Sequence, residues 1–200
     1  ETYRAQMELV SNFTLELALE TLCCGLYRLY SGGVTWYFLE NDHFFRRGKL
    51  YGCEDDDARF AFFSKAVCES LAHLDWQPDV IHCNDWQTAL VLFYLQDLRL
   101  KDPRRQLPRT VFTIHNVEYQ GNFSYHTLTD VFGLSGILFA EGTMELDGSV
   151  NLMKGAIETA DCLTTVSPSY AKEIKAPDAA GPIAEVIASH DIYGICNGLD

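Results

Sequence analysis

The spacing of apolar and polar residues changes period several times along this chain. "GLYRLY" and "VTWYFLE" are aromatic and β-branched runs on either side of Ser31-Gly32-Gly33. They predict a β-hairpin within a β-rich first fifty residues. From about Asp57 to Trp76 the period becomes helical, with Ala58, Ala61, Phe62, Lys65, Ala66, Glu69 and Ala72 tracing the turns. The acidic run Glu54 to Asp57 lies where negative charge suits a helix N-terminus. It reads as a solvated capping turn, with a metal site as the alternative.

A strand–helix alternation follows. "PDVIH" predicts a strand ending at Cys83-Asn84-Asp85, and "WQTALVLFYLQDL" a helix. "RTVFTIH" predicts a strand ending at Asn116, "SVNLMKGAIETA" a helix and "DCLTTV" a strand. Ser167-Pro168-Ser169 then caps the helix "YAKEI", and "DIYGIC" is a last strand running into Asn197-Gly198-Leu199-Asp200. Residues 123–149 read as an insertion carrying short helical pieces. Strands alternating with helices in this way call for parallel βαβ units with right-handed crossovers. The expected class is therefore α/β: a Rossmann-like three-layer αβα domain with a mainly parallel sheet and a β-hairpin near the start.

In an open parallel sheet the carboxyl ends of all strands share one edge, and ligands bind outside it. Each predicted strand, read to its last residue, adds polar groups to that edge: His82 to Trp86, His115 to Gln120, Ser167 to Ser169 and Asn197 to Asp200. Amides, a carboxylate, histidine, tyrosine and a tryptophan platform suit sugar hydroxyls and the C–H face of a sugar ring. Plainer roles compete. A histidine after a strand can anchor a loop, Asp85 can cap the helix at Trp86, Trp86 can be core, and Asn197-Gly198 can be a turn.

Composition narrows the choice. The chain has 200 residues, 48% of them hydrophobic and 22% charged, with a net charge of −13. Such an acidic balance argues against nucleic acid or an anionic membrane as partner. No apolar run approaches the ~20 residues that span a bilayer, and the opening "ETYRAQMELV" is not a signal peptide. Seven cysteines form no C-x-x-C pair and no zinc-type spacing. They read as reduced thiols of a cytoplasmic protein, with Cys68, Cys83, Cys162 and Cys196 as small buried hydrophobes. Two N-x-[ST] matches, at Asn12 and Asn122, carry no weight without a secretory signal. There is no G-x-G-x-x-G, no P-loop and no G-x-S-x-G. Dinucleotide, P-loop and α/β-hydrolase chemistry are thereby unsupported. Asp85 has no obvious second carboxylate for a glycosidase pair, Asp200 being the one candidate.

"PDVIHCNDWQTAL", "TVFTIHNVEYQGNF", "NLMKGAIETADCLTTVSPSYAKEI" and "YGICNGLD" resemble, in order, the motifs of bacterial glycogen synthases and plant starch synthases. "GVTWYFLENDHFFRRGKLYGCEDDDARFAFFSKAVCE" resembles the stretch before them. The resemblance implies one half of a two-domain, GT-B-type glycosyltransferase that moves glucose from ADP-glucose to the non-reducing end of an α-1,4-glucan with retention. ADP-glucose is then a substrate, and neither a cofactor nor a metal is implied.

It implies that residues 1–200 are the acceptor-side domain, without the family's first strand and K-T-G-G-L loop and without the C-terminal nucleotide-binding domain. Such a fragment is expected to be inactive alone, and loss of that strand favours self-association. Residue by residue, Asp85 and His115 take catalytic places, while Trp86, Asn116, Asn197 and Tyr51 take substrate-binding places. Asn84 and Gln87 stand where many members have histidine. A non-catalytic glucan-binding or regulatory module derived from the family is the alternative. An unrelated oxidoreductase is disfavoured by the missing glycine-rich fingerprint.

Overall fold

The computed structural model describes residues 3–104 and 106–198. Strands β1 (Glu8–Leu17), β2 (Glu20–Ser31) and β3 (Val34–Glu40) form an antiparallel meander. Ser31 pairs with Val34, leaving Gly32 and Gly33 as a two-residue turn with φ of 62° and 78°. That is the positive-φ pair a type I′ hairpin requires, so the predicted hairpin is present. The turn into β2 places Ala18 at φ 50°, so no glycine or asparagine marks the end of β1 in the sequence.

Helix α1 (Asp42–Phe45) is capped by Asn41, whose side chain accepts from the Phe44 N–H. Helix α2 (Asp56–Ser70) follows, ending in a single 3-10 turn over Leu71–His73. It stops short of Trp76. Leu74 is extended, Pro78 lies ahead, and Trp76 turns back to donate to the Tyr37 hydroxyl on β3 at 3.0 Å. The meander packs on α2 mainly through β1, where Leu15 and Leu17 are buried, and Phe13 stacks on His73 in the turn just beyond the helix.

The alternating half of the chain follows the predicted order. Strand β4 (Val80–Asn84) leads through a 3-10 turn at Trp86–Thr88 into α3 (Leu90–Lys101), then β5 (Arg109–Ile114). The insertion contains β6 (Asn122–Phe123), α4 (Tyr125–Asp130), α5 (Ile137–Ala140), β7 (Glu145–Leu146) and β8 (Ser149–Asn151). Helix α6 (Leu152–Thr159), β9 (Cys162–Thr165), α7 (Pro168–Glu173), α8 (Pro177–Ala180), α9 (Ile183–Ala188) and β10 (Ile192–Gly194) complete it. Residues 149–151 were expected to open the helix. They are instead the middle strand of a small sheet β6-β8-β7, and Asn151 caps α6 by accepting the Lys154 N–H.

The principal sheet runs β10-β9-β5-β4 with every pair parallel. In β5, Thr110, Phe112, Thr113 and Ile114 are all buried, as in a strand covered on both faces. Consecutive residues Leu90 to Leu95 of α3 are buried as well. That helix is enclosed between α2 and α6, and a Cβ added at Gly155 of α6 would lie 2.9 Å from the Phe93 ring. Among the described residues β4 forms one edge of the sheet, with Val80 half exposed. No helix among them is long and apolar enough to cross a membrane.

Candidate functional site

Because the four strands are parallel and adjacent in chain order, the residues after Asn84, Ile114, Thr165 and Gly194 emerge on one edge. Asp85 leaves β4 with φ 56° and ψ 178°, a backbone state that ordinarily belongs to glycine. The carboxylate does not cap the following turn. Its Oδ1 accepts the backbone N–H of His115 at 2.8 Å, while the Asp85 N–H donates to the Thr113 carbonyl at 3.0 Å. The capping role considered for Asp85 is therefore replaced by a clamp joining the tips of β4 and β5. Thr88 holds the turn instead, donating to the Asn84 carbonyl at 2.9 Å.

The His115 ring is exposed, and its Nε2 lies 2.9 Å from the Asn84 amide oxygen on the neighbouring strand. His82 is a structural group. Its Nε2 meets the Thr113 hydroxyl at 2.5 Å, and Thr113 meets Thr164 at 2.5 Å, so a polar chain crosses three strands just below the edge.

Asn116 is exposed and forms an Asx turn, accepting the Glu118 N–H at 3.0 Å. The turn sends the chain toward Gln120 and Gly121, where a residue unnoticed in the sequence takes over. Asn151 is fully buried, and its amide donates to Gln120 Oε1 at 2.7 Å and to Asn122 Oδ1 at 2.8 Å while its oxygen caps α6. Every hydrogen-bonding group of that amide has a partner, which is what a buried asparagine needs. Its only sequence signal was a polar residue just before an apolar helical run.

Trp86 is half-buried beneath this loop, edge-on to Phe60 with centroids 5.1 Å apart and tilted against Phe123 at 5.8 Å. Gly121, at φ 69°, lies over the indole; a Cβ there would come within 2.7 Å of it. The indole is thus largely a wall supporting the loop that follows His115.

Tyr51 sits in the exposed segment between α1 and α2. That segment is fixed by an ion pair at the start of α2, which corrects the solvated reading of the acidic run. Asp56 and Arg59 are both buried and meet at 2.6 Å. Arg59 also donates to the carbonyls of Leu50 at 2.5 Å and Lys49 at 3.3 Å, and Asp56 accepts the Gly52 N–H at 2.5 Å. Arg59 Nε has no hydrogen-bond partner among the described residues; the guanidinium lies over the Phe60 ring, 4.7 Å from its centroid. Phe60 in turn touches Trp86, so the Tyr51 segment is coupled to the β4 edge by packing. Asp55 is held by Arg47 through two contacts of 2.6 and 2.8 Å, which keep its carboxyl below the usual carboxylate range despite partial burial. Cys53, Asp55 and Asp56 lie close enough to share an ion, but two arginines already neutralise the carboxylates.

Asn197 is exposed beyond β10, on the same edge but two strands from His115, about 10 Å at ordinary strand spacing. Backbone pairing continues past β10, from the Ile195 N–H to the Thr165 carbonyl at 2.8 Å. Ser167 caps α7 by accepting the Tyr170 N–H. Leu199 and Asp200, and with them the carboxylate considered as a partner for Asp85, lie outside the described residues. The edge thus brings Asp85, His115 and Asn116 together, with Trp86 below them, Asn197 along the rim and Tyr51 linked through packing. Cys68 and Cys83 are buried as expected, and burial raises the Cys83 thiol to about 12. Cys162 is only half-buried and Cys196 is exposed, because β10 ends at Gly194.

Parallel βαβ layering with a polar carboxyl edge is the architecture of a Rossmann-like domain, and the solved structure it superposes on is a GT-B glycosyltransferase catalytic domain. A family model described as the starch synthase catalytic domain matches residues 1–189, and the chain belongs to that family. It is 39% identical to a glycogen synthase of Clostridium novyi over 203 residues, covering 100% of this chain and 42% of that protein. A glycogen synthase of Desulfitobacterium hafniense is 42% identical over 200 residues, covering 98% of this chain and 43% of the relative. Among solved structures, the catalytic domain of starch synthase IV from Arabidopsis thaliana, bound to ADP and acarbose, superposes with a TM-score of 0.86 at 32% identity. That match covers 97% of this chain and 41% of the plant chain. The chain spans about two fifths of the length of the relatives it matches.

Proposed function

We propose that this chain is the acceptor-side domain of an enzyme transferring glucose from ADP-glucose to the non-reducing end of an α-1,4-glucan, with retention. The observation that carries this reading is the clamp between Asp85 and His115 at the carboxyl edge: a strained carboxylate fixes the backbone of an exposed histidine on the neighbouring strand. In the proposed role His115 and Asn116 orient the sugar, Asn197 contacts it along the rim, Trp86 supports the site from below, and Tyr51 reaches the acceptor side. Asp85 acts electrostatically and by holding His115, in the manner of preorganised polar groups around a developing positive charge. The chain carries a net charge of −13, so the cations facing the leaving diphosphate come from a second, nucleotide-binding domain. The 200-residue chain alone is then inactive, and the open edge of β4 favours its self-association.

Titration of the labelled 200-residue protein with maltoheptaose and with ADP, followed by amide shifts, tests this placement. Shift changes centred on residues 84–86, 115–116 and 197 are expected, with ADP no tighter than millimolar. Shift changes confined to the β1–β3 meander, or micromolar ADP binding, would contradict it.

A further inference from the structure

We infer that Asn84 is a positioning residue for His115, selecting one tautomer of its ring and thereby the kind of group the ring can bind. The Asn84 Nδ2 faces the His82 carbonyl at 3.3 Å, and a carbonyl only accepts. The amide oxygen is therefore the atom facing His115, 2.9 Å from Nε2. An amide oxygen also only accepts, so Nε2 carries the hydrogen. In the neutral imidazole Nδ1, on the far side of the ring, is then a bare acceptor.

Asn84 is itself fixed. It is the last residue of β4, its carbonyl accepts the Thr88 hydroxyl, and it pairs with Thr113. An acceptor at Nδ1 takes a hydrogen bond from a sugar hydroxyl and repels an ionised phosphate oxygen, which has no hydrogen to give. His115 is thereby directed at the sugar part of a nucleotide sugar, away from its diphosphate. This role rests on the sugar-site reading, whereas the tautomer does not.

Long-range 1H–15N spectra of the 15N-labelled 200-residue protein near pH 8 test it without any substrate, the His115 signals being identified by their loss in His115→Gln. The native protein shows His115 as a single Nε2–H tautomer. Asn84→Ala loses that signature, with both nitrogens partly protonated, and Asn84→Asp, which keeps an acceptor oxygen there, restores it. A native Nδ1–H ring, or an Asn84→Ala spectrum identical to the native one, overturns the inference. If Asn84→Ala fails to fold, the native tautomer and that of Asn84→Asp still decide. A sugar titration that fails while the tautomer behaves as stated would count against the sugar site alone.

Discussion

The Asp85 carboxylate and the His115 backbone N–H lie 2.8 Å apart across the seam between β4 and β5. Asp85 holds this contact from a φ of 56°, which costs a non-glycine residue on the order of 1–3 kcal/mol. Two opposed terms meet at one residue, and substitutions separate them. Asp85→Gly removes both strain and clamp, while Asp85→Ala removes the clamp and keeps the strain. The glycine variant is expected to be more stable than the alanine variant by about 1 kcal/mol or more in urea unfolding. Equal stability would show that the backbone at Asp85 is relaxed.

Gly121 has to be glycine for two reasons: its φ of 69° and the indole of Trp86 beneath it. Gly121→Ala should cost about 2–4 kcal/mol, combining strain with overpacking. Gly148→Ala is the control. It has φ of 78° with nothing within 4 Å of an added Cβ, so only the strain remains, about 1 kcal/mol. Denaturation midpoints of the two variants should differ in that order.

The Asp56–Arg59 pair is buried, so breaking it strands a charge. Arg59→Ala is expected to destabilise the fold by about 3–5 kcal/mol, and Asp56→Asn by less, because Arg59 keeps the Lys49 and Leu50 carbonyls as acceptors. Hydrogen exchange at residues 49–52 should accelerate in both. Unchanged exchange there would mean that the Tyr51 segment does not depend on the pair.

Asp161 joins the starts of β9 and β5. Burial pushes its carboxyl upward, but hydrogen bonds from the Thr110 N–H and hydroxyl and from Arg109 outweigh burial and hold it below its ordinary value. A carboxyl depressed in the folded state adds stability above its unfolded pKa of about 4, and that stability is lost as pH falls through the folded value. Asp161→Asn should therefore lower stability at neutral pH and flatten the acid limb below about pH 4. An acid limb with the native slope would show that Asp161 does not set the acid stability of the fold.

The βαβ half of the chain was legible because period, capping and turn residues agreed there: the apolar runs turn polar at Asn84 and at His115-Asn116, and Ser167-Pro168 opens a helix. Strand β1 was less visible, since its turn uses Ala18 and Leu19 without a turn residue. Helices α8 and α9 are short, and the three residues of β8 were absorbed into the apolar run of α6. At the site, recurrence of polar residues at strand ends located the edge, but residue identity did not fix how the groups are used. A helix cap was the plainer alternative for Asp85, which is instead a clamp; Glu54 to Asp57 looked solvated, yet Asp56 is buried against an arginine. Asn151 was invisible because its partners Gln120 and Asn122 lie 31 and 29 residues earlier in the chain.

The proposed orienting of glucose by this edge is tested most directly by glucosyl transfer from ADP-glucose to maltoheptaose in a two-domain glycogen synthase that contains these 200 residues. Replacing His115 by Ala should lower kcat ~100-fold or more with the fold intact, as loss of a positioning contact does. Turnover close to that of the unsubstituted enzyme would contradict the assignment.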